Sequence, residues 1–289
     1  MINVQDILRI RIFTSDFNPN QPGMRCLLPA FLMLPFLFSD VDASEGTNWR
    51  SAVISNEQGL SNSAINSIFR DSRGFMWFGT WDGLNRYDGK SIKTFYPDIY
   101  DETAISNNII RKMLEDDDGH LWVVTERGLN RYSHNREAFS SWFTEYPELS
   151  LREHSLKASI GDDGQVWVKA YGLGVFRYDP GRDGFEQIII PCLANYRMTE
   201  INDFMVYGND LFLLDDDSLY VIDHVLSQKR VGFSLEDVCA NNTDLTIDLN
   251  WFFVYDDKPF LLLAMREGGM LFMDLHSREV NPIMLGNDE

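Results

Sequence analysis

The sequence predicts an all-β fold built of four-stranded propeller blades, and three observations carry that prediction. A block of about 17 residues recurs, large aromatic residues stand 45 apart, and glycine or aspartate interrupts the chain every ten residues or so. DSRGFMWFGTWDGLNRY (71–87) and DDDGHLWVVTERGLNRY (116–132) match at 9 of 17 positions without a gap, and GDDGQVWVKAYGLGVFRY (161–178) follows with one inserted residue. Trp77, Trp122 and Trp167 share the 45-residue spacing, Phe212 continues it, and Leu262 takes the same place 50 residues further on.

Each unit has one internal grammar. An apolar run (Ile65 to Phe69, Ile109 to Leu114) leads to an acidic turn ending in Gly74, Gly119 or Gly164. A short strand centred on the large aromatic follows, then a turn containing Gly83, Gly128 or Gly172, then a strand ending in Tyr87, Tyr132 or Tyr178. A last run closes the unit (Ile92 to Tyr96, Phe139 to Phe143, Phe185 to Ile190). Four short strands in about 45 residues, punctuated by glycine turns, are the signature of a propeller blade. The glycines supply the positive φ of tight hairpins, and the tryptophan suits packing between neighbouring blades. A 3.6-residue periodicity is missing from 71–87, which excludes a helical repeat. The blades fall at about 59–97, 105–143, 154–190, 201–233 and 250–285.

Composition narrows the function classes. The chain has 289 residues, is 44% hydrophobic and carries a net charge of −19, enough core to fold and too negative for a phosphate backbone. Nucleic acid is therefore not an expected ligand. Cys26, Cys192 and Cys239 lack metal-site spacing, and the five histidines form no ligand pair. The runs Asp116 to Asp118 and Asp215 to Asp217 lack the alternating ligands of a calcium loop and read as turn chemistry. No cofactor and no metal is expected.

Residues 1–43 form a separate segment. LLPAFLMLPFLF (27–38) is an uncharged apolar run too short to span a bilayer. Arg25 precedes it, and Val41-Asp42-Ala43 offers small residues at the places a signal peptidase requires. The pattern predicts a secretory signal peptide starting at Met24, with the propeller repeats occupying 44–289 and the location periplasmic.

GLSNSAINSIFRDSRGFMWFGTWDGLNRYDG (59–89) resembles the two-component regulator propeller repeat. The resemblance covers 49–190 well and 201–285 loosely. It implies the periplasmic sensor region of a hybrid two-component histidine kinase, in which seven-bladed propellers bind oligosaccharides and signal through the membrane. The remaining blades and the signalling domains of such a receptor would then be partners, together with a second copy in a homodimer. WRSAVIS (49–55) alternates like a strand that closes a ring onto the last blade, yet 279–285 already supplies that blade's outer strand. The expectation is an open arc of about five blades, an incomplete part of a seven-bladed propeller with no kinase portion; five blades closing on themselves is the alternative.

In propellers the loops joining blades and the loops between second and third strands share one face. By alignment, the first kind brings Asn62 and Asn108 there, with Ser61, Ser63 and Asn107 beside them. The second kind adds Trp81 and Asp82, Glu126 and Arg127, Tyr171, Asp216, Arg266 and Glu267. An aromatic face beside carboxylates and amides suits a sugar, whose apolar side stacks while its hydroxyls pair with polar groups. Trp81, Asp82, Glu126, Arg127, Tyr171, Asn62 and Asn108 are the candidate oligosaccharide-binding residues, and none is expected to be catalytic. A propeller glycoside hydrolase or lyase using two of these carboxylates, or a structural propeller that mediates dimerisation, is the competing reading. Arg86, Arg131 and Arg177 recur at one position and are expected to serve the blade rather than a site.

Overall fold

The computed structural model describes residues 53–146, 155–189, 201–215, 218–225, 228–234, 247–265, 270–277 and 279–283. The predicted signal peptide, all three cysteines, Asp216, Arg266 and Glu267 lie outside them. The described residues form five four-stranded antiparallel sheets, each with its strands in chain order. The all-β prediction holds: these are β-propeller blades.

The first blade is β1 (Ile65–Arg70), β2 (Met76–Thr80), β3 (Gly83–Tyr87) and β4 (Ile92–Phe95). The second is β5 (Ile110–Glu115), β6 (Leu121–Thr125), β7 (Gly128–Ser133) and β8 (Ala138–Trp142). The third is β9 (Leu156–Ile160), β10 (Val166–Ala170), β11 (Gly174–Asp179) and β12 (Gly184–Ile188). The fourth is β13 (Asp203–Tyr207), β14 (Asp210–Leu214), β15 (Ser218–Asp223) and β16 (Gln228–Ser234). These four fall in one compact unit, residues 54–234, whereas the fifth sheet belongs to a second unit. That sheet comprises β17 (Ile247–Tyr255), β18 (Lys258–Met265), β19 (Met270–Asp274) and β20 (Val280–Ile283). In it Leu261 and Leu263 are buried and Leu262 only partly so, hence the tryptophan place has no large buried equivalent there. The strand read at 49–55 is not seen in its described part: Val53 to Ser55 lead without strand pairing into a short 3-10 turn at Asn56–Gln58.

In the four-bladed unit the first strands β1, β5, β9 and β13 lie against one another in succession. The repeated tryptophans explain how the blades adhere. Trp77 and Trp122 have no exposed surface, and Trp167 has 1%. Trp77 meets Tyr132 of the second blade edge-on with centroids 5.1 Å apart, and Trp122 meets Tyr178 of the third at 4.9 Å. Such aromatic pairs contribute about 0.5–1.5 kcal/mol beyond their burial. The recurring arginine fastens the same seam. Arg86 donates to the Tyr132 hydroxyl and pairs with Glu137, and Arg131 donates to the Tyr178 hydroxyl and pairs with Asp183. The structural role expected for Arg86 and Arg131 is thus visible, and Arg177 lies over the Trp167 ring of its own blade.

The indole nitrogens have a partner that the repeat supplies and then loses. Trp77 Nε1 donates to Asp71 Oδ2 and Trp122 Nε1 to Asp116 Oδ2, each at 2.7 Å. The other oxygen of each aspartate accepts the amide of Phe75 or His120, which fixes the hairpin into the second strand. The third repeat has Gly161 in the aspartate's place, and Trp167 Nε1 is buried with no acceptor among the described residues. A buried unsatisfied donor costs about 1–3 kcal/mol. A β-carbon on Gly161 would stand 3.6 Å from that nitrogen and 2.6 Å from Asp163 Oδ1, the end of a flexible exposed side chain. Gly161→Asp is therefore expected to raise stability by about 1 kcal/mol. Urea denaturation followed by circular dichroism checks this, and a loss of stability would refute the pairing.

Candidate functional site

The loops expected to share a face do meet around the first and second blades. Trp81 and Asp82 form the β2–β3 turn, and Trp81 keeps 44% of its surface exposed. Asn108, in the loop entering β5, donates from Nδ2 to Asp82 Oδ1 at 2.9 Å, while its carbonyl accepts the Gly83 amide at 2.7 Å. Arg111, from β5 itself, lies over the Trp81 ring at 5.0 Å from the centroid. Its Nε donates to Glu126 Oε2 at 2.6 Å, both side chains being about 18% exposed. The guanidinium thereby links an exposed indole to a carboxylate of the β6–β7 turn. Trp81, Asp82, Asn108 and Glu126 form one contiguous patch, joined by Arg111, which sequence reasoning did not single out.

The other candidates sit differently. Arg127 is exposed next to Glu126, and its amide donates to Thr125 Oγ1. Tyr171, half-buried in the β10–β11 turn, is held by its amide to the Ser155 carbonyl at 2.7 Å, and Lys169 Nζ stands 5.8 Å from its ring centroid. Asn62 is partly buried, and its Oδ1 accepts the Ala64 amide at 2.7 Å, a turn-forming bond within its own loop. Asn107 does the same for Ile109.

Ser61 and Ser106 are framework rather than face. Each donates its amide to the side-chain oxygen of Asn85 or Asn130, and each hydroxyl lies about 3 Å from that of Thr80 or Thr125. Thr80 and Thr125 in turn donate to the carbonyls of Gly83 and Gly128. This network ties the entering loop to the second and third strands, so the Trp81 and Glu126 turns stand on a rigid base. The third blade carries Ala170 and Phe176 in the threonine and asparagine places, so both members are lost together.

Sharing Arg111 and Glu126 with the patch is a cavity of about 320 Å³ lined by residues of the first three blades. Asn66 comes from β1, Arg111 and Lys112 from β5, Leu156, Lys157 and Ala158 from β9, with Glu126 and Ser155 from the loops. Lys112 Nζ donates to the Ala158 carbonyl at 3.0 Å, which bridges the second and third blades. Lys157 is 3.7 Å from Asp203 Oδ1 of β13. Burial holds the Lys112 ammonium below its ordinary range, and the charge of Lys157 adds to the effect against that of Asp203. Among the described residues no His, Cys, Asp and Glu cluster could hold a metal ion, and no helix is long and apolar enough to cross a membrane.

Comparison with known proteins places this architecture. The family model described as "Two component regulator propeller" matches residues 59–82 and 104–127, the loop-to-turn segments of the first two blades. No curated protein matches the chain. Among solved structures, the extracellular domain of a putative hybrid two component system from B. thetaiotaomicron is similar, with a TM-score of 0.61 and 18% identity. The extracellular domain of a putative one component system from the same organism gives 0.55 and 20%. The alignments cover 80% and 78% of this chain and 31% of each of those chains. Virginiamycin B lyase from Staphylococcus aureus shares the propeller fold at a TM-score of 0.50 and 11% identity over 75% of this chain and 68% of the lyase. At such identities the likeness is one of fold. The family match places two-component regulator propeller repeats at residues 59–82 and 104–127, where the motif at 59–89 implied the first of them.

Proposed function

We propose that the chain is the exported, ligand-sensing propeller region of a two-component signalling receptor and that it recognises oligosaccharides. The observation that carries this reading is the patch of Trp81, Arg111, Glu126, Asp82 and Asn108, of which Arg111 and Glu126 also line the cavity. An indole 44% exposed offers a face on which a sugar ring stacks. The carboxylates and amides around it match vicinal hydroxyls. The guanidinium pre-organises both, so little side-chain entropy is lost on binding. Both carboxylates are already engaged, Asp82 by Asn108 and Glu126 by Arg111, which supports binding over hydrolysis. The chain spans 31% of the similar extracellular domains.

Isothermal calorimetry of the purified chain against a panel of neutral and acidic oligosaccharides tests the proposal. At least one is expected to bind, and Trp81→Ala is expected to weaken that binding about tenfold or more, since a stacked aromatic pair is worth about 0.5–1.5 kcal/mol beyond the area it buries. The melting temperature should stay unchanged because Trp81 lies outside the buried core. Heat from no saccharide would refute oligosaccharide recognition, and an unaltered affinity in the variant would remove Trp81 from the site.

A further inference from the structure

The cavity inverts the charge of the molecule around it. The whole chain carries −19, yet the cavity lining holds Arg111, Lys112 and Lys157 against the single carboxylate of Glu126. That carboxylate is taken by Arg111, which leaves two lysines facing the space. Lys112 keeps accessible surface and lines the cavity. One of its hydrogen-bond positions is used by the neutral Ala158 carbonyl. An ammonium has three such positions.

The strand register makes the excess positive charge sharper. In the β9–β10 pairing Lys157 stands directly opposite Lys169. Like charges directly opposite one another across a sheet are destabilising, and hydrophobic residues would satisfy an inner strand at no such cost. In the second blade the same pairing is Lys112 opposite Val124. Lys169 has 1% exposure and donates to the Ile201 carbonyl at 2.6 Å. Burial and then the charge of Lys157 pull its ammonium down to about 8, against the pull of Asp203. Among the described residues, Asp203 lies 3.7 Å from Lys157 and offsets part of this charge. Two lysines and an arginine thus line the space with one carboxylate, and the buried Lys169 behind Lys157 adds to the positive charge that Asp203 offsets, an arrangement that favours an anion.

We propose that this cavity is an anion subsite that receives the charged group, carboxylate or sulfate, of an acidic oligosaccharide whose neighbouring ring stacks on Trp81. The assignment rests on the oligosaccharide-recognition reading and adds a ligand class to it. Lys112 and Lys157 hold the anion as donors from adjacent blades, and Asn66 of β1, whose Nδ2 donates to the Ile110 carbonyl at 2.9 Å, lines the same space. Because the lysines come from β5 and β9, a bound anion also links the second and third blades at their first strands.

The test is calorimetry on the full chain with three probes: a galacturonate tetramer, a sulfated disaccharide and a neutral galactose tetramer. The uronate or the sulfate probe is expected to bind at least about tenfold more tightly than the neutral one, as charge-assisted hydrogen bonds are the stronger kind. Which of the two binds identifies the anionic group. Lys112→Met and Lys157→Met are each expected to reduce acidic-probe affinity about tenfold or more, with neutral-probe affinity altered less than about twofold. Lys157→Arg keeps the charge and should retain most of the binding. Relief of the like-charge pair with Lys169 and loss of the ion pair with Asp203 oppose each other, so Lys157→Met should melt near the parent temperature, and lost binding is then not lost folding. Equal affinity for neutral and acidic probes, or lysine variants that bind like the parent, would overturn the anion subsite while leaving oligosaccharide recognition standing. Binding of none of the three probes overturns the subsite, and silence of the wider panel as well overturns recognition itself.

Discussion

Trp122→Ala is expected to lower the stability of the four-bladed unit by about 3–5 kcal/mol, the cost typical of deleting a large aromatic from a packed core. The indole has no exposed surface and touches Trp142, Tyr178 and Phe185, with ring centroids 5.4, 4.9 and 5.9 Å away. Its removal opens a void at the seam between the second and third blades. It also strips the Nε1 donor from Asp116, leaving a mostly buried carboxylate one partner short. Trp122→Phe separates these contributions: it keeps most of the ring packing and loses the bond, so a smaller cost of about 1–2 kcal/mol is expected. Urea titration read by far-ultraviolet circular dichroism measures both. If alanine costs less than phenylalanine is expected to, the tryptophan is not the seam's main packing element.

Gly79→Ala is expected to cost about 2 kcal/mol, within the range for overpacking a core. Gly79 lies in β2, and a β-carbon there would stand 2.5 Å from Cγ2 and 2.9 Å from Cβ of Ile110 in β5. Ile110 has no exposed surface and cannot withdraw into solvent. The glycine therefore sets how closely the first blade approaches the second. This is the same close approach that places Arg111, the next residue along β5, over Trp81. The double variant Gly79→Ala with Ile110→Ala should cost at least about 1 kcal/mol less than the sum of the single changes, as expected for residues in contact. Strict additivity would show that the two side chains do not compete for that space.

The legibility of this molecule in its sequence follows the range of the interactions involved. Strand pairing within a blade is local: Trp77 pairs with Arg86 nine residues on, and Gly83 turns the hairpin with φ of 119°. Such hairpins leave a direct imprint, and the 45-residue rhythm repeats it, so the strands and the buried tryptophans were readable. The positions of Trp81, Asp82 and Glu126 in turns followed from the same alignment. What joins them was not readable, because Arg111 reaches Trp81 across blades and Glu126 across its own sheet, and it sits in a run that reads as merely apolar. Asn62 and Ser61 look like loop residues available to a ligand, yet their polar atoms brace the loop itself. The cation cluster did leave one trace. Lys169 stands in the middle of a second strand where the preceding repeats have Gly79 and Val124, and a lysine on a buried strand breaks the local pattern. Its partner Lys157 is recognisable only once β9 is laid against β10.

Nuclear magnetic resonance of the indole N–H groups during titration with the tightest-binding oligosaccharide tests recognition at this face most directly. The chain has seven tryptophans, and Trp81→Phe assigns the signal that matters. A saturable shift of the Trp81 resonance is expected, with those of the buried Trp77 and Trp122 unmoved. A saturating ligand that leaves the Trp81 resonance in place, or that shifts only the seam tryptophans, would contradict a sugar site at the Trp81 patch.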